Sequence, residues 1–350
     1  MQTFQCARCG NGVHFENDRC LFCASPLGFD VAAMRLETLT AADDAGALSR
    51  FDEPAHRVAY CDNAAHGVCN WLRAATANAG LCIACGLNRT IPNLAEPGNV
   101  AAWSVLEHAK KRLVYSLLRF GLPLGGTPDV PRPLTFDFPR DATTGHLDGV
   151  VTIDVNETDP VERERQRTQL DESYRTVLGH MRHEVGHYYW MVLVDGARHA
   201  ESFRTLFGDE RADYAAALAS HYASGLAADW QAKHVSSYAS VHPWEDWSET
   251  WAHYLHMVDA LDTAEAVGME PRAARFSLGS VWSFSRRDVY RVVPFDELME
   301  RWVPLTMALN SINRSMGHSD FYPFVISEVA RSKLAFVHRV VREAGGGNPG

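Results

Sequence analysis

The chain has no cysteine after Cys85, no uninterrupted apolar run of the ~18 residues that a membrane-spanning helix needs, and no excess of positive charge. The first absence confines thiol chemistry to the amino-terminal quarter, and the second excludes a transmembrane helix. The start Met1-Gln2-Thr3-Phe4-Gln5-Cys6 lacks the basic and apolar regions of a signal peptide, so a cytoplasmic location is expected. With 33 Lys and Arg against 43 Asp and Glu, the net charge is −10, and a phosphate-binding surface would need an unusual local basic patch. Nucleic acid is therefore not the expected partner. What remains is a chain of 350 residues, 46% hydrophobic and 22% charged, able to bury a sizeable core in about two units.

Within it, His183-Glu184-Val185-Gly186-His187 stands in a segment with helical periodicity. Tyr174, Leu178, Met181, Val185, Tyr188 and Val192 recur every three or four residues as an apolar stripe. At 3.6 residues per turn, His183 and His187 lie one turn apart on the other face, which also carries Gly179, Trp190 and Val194. That face reads as the floor of a cleft covered by later parts of the chain. The spacing is that of the H-E-x-x-H zinc protease signature.

A second helical block, Trp244-Glu245-Asp246-Trp247-Ser248-Glu249-Thr250-Trp251, carries an apolar stripe of Trp244, Trp247, Trp251 and Tyr254 or Leu255. Glu245 and Glu249 are four apart and share another face. Two stacked carboxylates among tryptophans are costly to bury without partners, and a zinc ion with a ligand histidine would supply them.

The eight cysteines form a regular and a less regular set. Cys6, Cys9, Cys20 and Cys23 make two Cys-x-x-Cys knuckles, the pattern of a closed structural zinc site. Cys61, Cys69, Cys82 and Cys85 contain one such knuckle; His66 could replace a thiol, but four cysteines leave none unpaired. Disulfides are the competing reading, opposed by the knuckles and by a reducing compartment. In residues 1–95, seven basic residues face nine acidic ones, and each zinc held by four thiolates adds a charge of about −2. Protein contact or scaffolding is thus the expected role of these modules.

Taken together, the cysteine-rich start, Cys69-Asn70-Trp71, Ala109-Lys110-Lys111-Arg112-Leu113 and Gly179-His180-Met181-Arg182-His183-Glu184 resemble bacterial zinc-binding metallopeptidases with an amino-terminal zinc ribbon. The pair Glu245 and Glu249, following His183, Glu184 and His187, is similar to the gluzincin class. That resemblance implies His183, His187 and Glu245 as ligands of a catalytic zinc, Glu184 as general base, and Glu249 as the outer partner of His183 Nδ1. Tyr238, seven residues before Glu245, resembles the tyrosine of lethal-factor-type gluzincins that points at the metal, which implies an oxyanion-stabilising role.

The expected architecture is α+β: a zinc-ribbon region at 1–95 with two four-cysteine sites, a mostly helical zincin-like domain with a small sheet at 96–343, and a disordered tail at 344–350. Helices are expected at 99–120, 161–193, 198–207, 210–229, 244–260, 295–315 and 324–343, and strands at 134–138 and 150–155, around a Pro- and Gly-rich loop at 123–133. Lys110, Lys111 and Arg112 read as a solvated stripe. The small residues Ala215, Ala216, Ala217 and Ala219 read as a close-packed core contact. Residues 149–155 are expected to be a free sheet edge able to pair with an extended peptide. His253 is a competing ligand, His180 could line the cleft, and His146, His221, His242 and Tyr222 have no rank.

The expected function is hydrolysis of peptide bonds in a peptide or protein substrate, with three zinc ions, one catalytic and two structural. A retired zincin serving as a ribbon-based protein-binding module, and a hydrolase of a non-peptide amide, are the alternatives. A membrane is not an expected partner.

Overall fold

In the computed structural model of this protein, residues 2–40, 47–75, 80–169, 175–196, 198–224, 229–269 and 287–346 are described. They belong to two compact units, one of residues 1–114, 135–143 and 152–159, the other of residues 115–134, 144–151 and 160–350. The fold class is α+β, with the short strands before residue 153 and, apart from the helix Asn99–Phe120, the α-helices after them.

The first unit begins with antiparallel pairs of β1 (Phe4–Gln5) with β2 (Gly12–Val13) and of β3 (Leu27–Asp30) with β4 (Arg35–Thr38). A three-stranded meander of β5 (Leu48–Ser49), β6 (Arg57–Tyr60) and β7 (Leu72–Ala74) follows. Then come β8 (Asn88–Thr90), the first turns of α1 (Asn99–Phe120) and β9 (Thr135–Asp137), which runs parallel to β8. Strands this short cannot hold a sheet alone. The Phe15, Phe29 and Trp71 rings knit them together, with Phe29 4.8 Å from Phe15 and 4.9 Å from Trp71. Asn70 adds a polar stitch: its carbonyl accepts from Phe29 N–H at 2.8 Å and its side chain donates to the Phe15 carbonyl at 2.7 Å.

Lys110 and Lys111 are buried, against the expectation of a solvated stripe; Arg112 is exposed and pairs with Glu16 at 2.6 Å. The reason is Glu107, three and four residues earlier and fully buried, whose carboxylate meets Lys110 at 2.7 Å and Lys111 at 3.1 Å. Lys111 Nζ also donates to the Val68 carbonyl at 2.6 Å, and Glu107 lies 3.6 Å from Cys85 Sγ. Burial alone would lower the Lys111 ammonium, but Glu107 and the thiols of Cys69, Cys85 and Cys82 hold it above its ordinary range. Replacing Lys111 by Met removes one partner of a buried ion cluster. It should cost about 3 kcal/mol of stability, visible as a lower denaturant midpoint with zinc present. An unchanged midpoint would mean the ammonium only fills space.

The second unit contains β10 (Gly145–Leu147) and most of β11 (Val150–Thr152). Its helices are α2 (Pro160–Gln169), α3 (Val177–Leu193), α4 (Ala200–Phe207), α5 (Tyr214–Ser224), α6 (Trp230–Lys233), α7 (Pro243–Ala266), α8 (Phe295–Ser315) and α9 (Glu328–Ala344). The expected helix over 161–193 is thus two helices. Thr176 is extended and accepts the Gly179 N–H, an N-cap that starts α3 afresh. Tyr174 lies outside the described residues. The core is aromatic: Tyr189 stacks on Trp251 at 4.8 Å, and Trp247 packs edge-on to Phe207 and Phe336. Two buried ion pairs, Arg182 with Asp259 and Lys333 with Asp246, tie α3 and α9 to α7.

Three further expectations are corrected. Ala215, Ala216 and Ala219 are exposed, so α5 is no core helix. Residues 149–155 are not a free edge. Asp148 and Gly149, both with positive φ, form a tight turn that folds β10 back onto β11, while Ile153 and Val155 donate to the Asp137 and Pro139 carbonyls. Among the described residues, the outer strand is β10. The carboxyl end is ordered beyond residue 343: Ala344 closes α9 and the Gly345 carbonyl accepts from Arg291 at 2.7 Å. Residues 347–350 lie outside the described residues.

Candidate metal centre

The sequence of α3 dictates how closely α7 can approach it. A Cβ at Gly186 would lie 3.0 Å from Ser248 Cα and 3.2 Å from the Trp251 ring, so any larger residue would loosen this contact by pushing α7 outward by a few tenths of an ångström. Trp247 Nε1 seals it by donating to the Gly186 carbonyl at 2.8 Å. The same approach brings Glu245, at the start of α7, against the two histidines.

His183 and His187 have ring centroids 5.0 Å apart. Glu245 Oε2 is 2.9 Å from His183 Nε2 and 3.5 Å from His187 Nε2. One ligand atom from each of the three residues falls within 4.8 Å of the others, and all three side chains are buried. The outer ring nitrogens have other partners: His183 Nδ1 donates to Glu249 at 2.6 Å, and His187 Nδ1 meets Ser248 Oγ at 2.8 Å. That leaves both Nε2 lone pairs for a cation, the usual arrangement around ligand histidines. Two nitrogens and a carboxylate oxygen, with a carboxylate behind one histidine, suit zinc.

The electrostatics point the same way. Burial would raise the Glu245 carboxyl, but His187 and His183 hold it well below the ordinary range. Burial would raise Glu249 too, yet the His183 hydrogen bond and charge bring it to about 2. For His183, burial favours the neutral ring, and the hydrogen bonds to Glu245 and Glu249 reverse this, so that its pKa lies well above normal. The pocket is built to hold positive charge.

Glu184 is buried beside His183 on α3, and its charge reaches Tyr214. The Tyr238 ring lies 5.9 Å from that of His183, and burial and Glu245 hold its hydroxyl far above the ordinary range. Other residues of the site were not apparent from the sequence. Tyr214 OH donates to Glu245 Oε1 at 2.7 Å, Ser236 Oγ donates to Glu249 Oε2, and Trp244 packs its ring 3.9 Å from His187. His146 on β10 stacks over His187 at 6.3 Å, and burial lowers its pKa to about 4. Ser248 and Trp244 stood inside the tryptophan-rich block, whereas Tyr214 is 31 residues from Glu245 and no spacing marks it.

The remaining histidines have other partners or positions. His253 is hydrogen-bonded to Tyr322 OH at 2.6 Å and is not one of the grouped ligands. His242 caps α7 through the Trp244 N–H, His221 packs against Tyr238 at 6.2 Å, and His180 is half-buried. Tyr222 is exposed.

The eight cysteines form two groups, Cys6, Cys9, Cys20 and Cys23, and Cys61, Cys69, Cys82 and Cys85. Within them, Cys6 and Cys23 are 3.6 Å apart, Cys9 and Cys20 3.6 Å, and Cys69 and Cys82 3.7 Å. Disulfides, at about 2.05 Å, are excluded, whereas a tetrahedron with Zn–S of about 2.3 Å has edges of about 3.8 Å. His66 is exposed, packs on Trp103 and is not needed as a ligand.

Comparison with known proteins agrees with this geometry. Residues 99–340 match a family described as "Putative zinc-binding metallo-peptidase", and residues 3–96 match a zinc-ribbon domain. The chain belongs to this zinc-binding metallopeptidase family. Relatives of this family member include uncharacterized proteins of Mycobacterium tuberculosis strains H37Rv and CDC 1551 and of Mycobacterium bovis. Each is 41% identical over 349 residues, which cover 98% of this chain and 96% of the relative. No solved structure matches this chain. No helix among its described residues is long and apolar enough to cross a membrane.

Proposed function

We propose that this protein is a zinc-dependent peptidase whose metal is held by His183, His187 and Glu245, with two further zinc ions in the four-cysteine groups. The observation that carries the reading is the convergence of His183 Nε2, His187 Nε2 and Glu245 Oε2, with Glu184 next to them on α3. Zinc, when bound, would supply a Lewis acid able to lower the pKa of a water molecule towards neutrality.

The protein's own groups do the rest. Glu184 takes a proton from the attacking water and passes it to the leaving amine. Tyr238 donates its hydroxyl proton as a hydrogen bond to the oxyanion that develops on the substrate carbonyl. Glu249 holds the His183 ring in the tautomer that keeps Nε2 free. An extended substrate would pair along β10, the outer strand, whose His146 lies over His187. In the ribbons, Leu21 and Phe22 are 92% and 77% exposed between the thiols of the second knuckle, which supports a protein-contact role.

Glu245→Ala should abolish metal binding at the histidine site, while Glu249→Ala should weaken it about 10–100-fold, as loss of an outer partner does. Chelator competition would measure both, and the reverse order would make Glu249 the ligand. The function itself is tested by cleavage of casein and a peptide library with and without chelator. Cleavage that stops with chelator and returns with zinc supports a metallopeptidase. Cleavage of neither substrate by the zinc-loaded protein would turn the reading towards a binding module or another amide hydrolase.

A further inference from the structure

We propose that Tyr214 is a positioning residue of the metal site, holding Glu245 so that a single carboxylate oxygen faces the cation. A carboxylate can meet a metal with one oxygen or with both, and which it does depends on what occupies the second. Here Oε2 lies 2.9 and 3.5 Å from the two Nε2 atoms, and Oε1 accepts the Tyr214 hydroxyl at 2.7 Å. Glu245 is buried, so loss of that donor would leave an oxygen to find a partner without water. A cation held by the two Nε2 atoms and Oε2 would be such a partner.

The surrounding chain is arranged to fix this hydroxyl. The Tyr214 ring stands edge-on to His242 at 5.3 Å and to Trp244 at 6.0 Å, and Trp244 is the immediate neighbour of Glu245. His242 uses both ring nitrogens: Nδ1 accepts the Trp244 N–H at 3.1 Å, and Nε2 donates to the Ala212 carbonyl at 3.2 Å. One imidazole thus pins the start of α7 to the chain two residues before Tyr214. Asp213 Oδ1 accepts the Ala216 N–H at 3.0 Å and steadies the first turn of α5.

Core packing does not account for the tyrosine. Ala215, Ala216 and Ala219 of α5 face solvent, while Tyr214 turns inward to a charged ligand. Tyr238 lies beside His183, and its hydroxyl interacts with that of Tyr214.

The inference rests on the triad holding a metal and not on hydrolysis, so its test uses metal binding alone. The zinc affinity of the histidine site would be measured by chelator competition on the full chain for wild type, Tyr214→Phe and Tyr222→Phe. Cobalt exchanged into that site would report coordination by its visible absorption, and unchanged zinc at the cysteine groups would verify folding. Tyr214→Phe should weaken zinc about 10–100-fold and alter the cobalt spectrum as the second oxygen joins the metal, with Tyr222→Phe, at an exposed tyrosine of the same helix, like wild type in both. Wild-type affinity and spectrum in Tyr214→Phe would overturn the proposal, as would an equal loss in Tyr222→Phe. A wild-type chain with no zinc at the triad would overturn it together with the metal assignment.

Discussion

Glu184→Gln is expected to retain every zinc ion of the wild type and to lose about 10²–10⁴-fold in kcat on whatever peptide the wild type cleaves. The substitution keeps the size and the helical position of the side chain and removes only its ability to accept a proton. Retention of metal follows from the geometry, since the grouped ligand atoms come from His183, His187 and Glu245 and leave Glu184 outside. Glu184 is nevertheless buried at the site and close enough for its charge to raise the Tyr214 hydroxyl further, after burial and Glu245. A Glu184→Gln protein that lost the triad zinc would make Glu184 a ligand. One that kept full kcat would move the base elsewhere.

The residues that converge on the triad were legible where helical periodicity acts over one turn. His183 with His187, and Glu245 with Glu249, are four apart in helices that begin where a Thr176 cap and a His242 cap put them. The 57 residues between His187 and Glu245 carry no such ruler, and Tyr214, which touches Glu245, lies among them without a signal. The cysteine groups were legible for a similar reason, because a Cys-x-x-Cys knuckle fixes two thiols locally. Even the irregular second set closes on four cysteines, without His66.

Burial of charge was much less legible. Lys110 and Lys111 look like any surface pair until Glu107, the Val68 carbonyl and the thiols of the second cysteine group surround them. Those partners come from positions up to 43 residues away, so local pattern says nothing about them. The alanines of α5 misled in the opposite direction, since small residues permit close packing without requiring it. The β10 strand is three residues long, too short for an alternating pattern, and only the Asp148-Gly149 turn could have disclosed it. The free edge expected at residues 149–155 therefore lies one strand earlier in the chain, at β10.

Removing both triad histidines should have the largest effect on the metal, because it deletes two of three ligands while leaving the cysteine groups untouched. The Nδ1 partners, Glu249 and Ser248, would then have nothing to orient, and Glu245 alone cannot hold zinc against a chelating buffer. Zinc per chain, measured by native mass spectrometry on wild type and on His183→Ala combined with His187→Ala, tests the account most directly. Three ions falling to two is the predicted result. Two ions in both proteins would leave the histidine site without metal and contradict the peptidase assignment at its root.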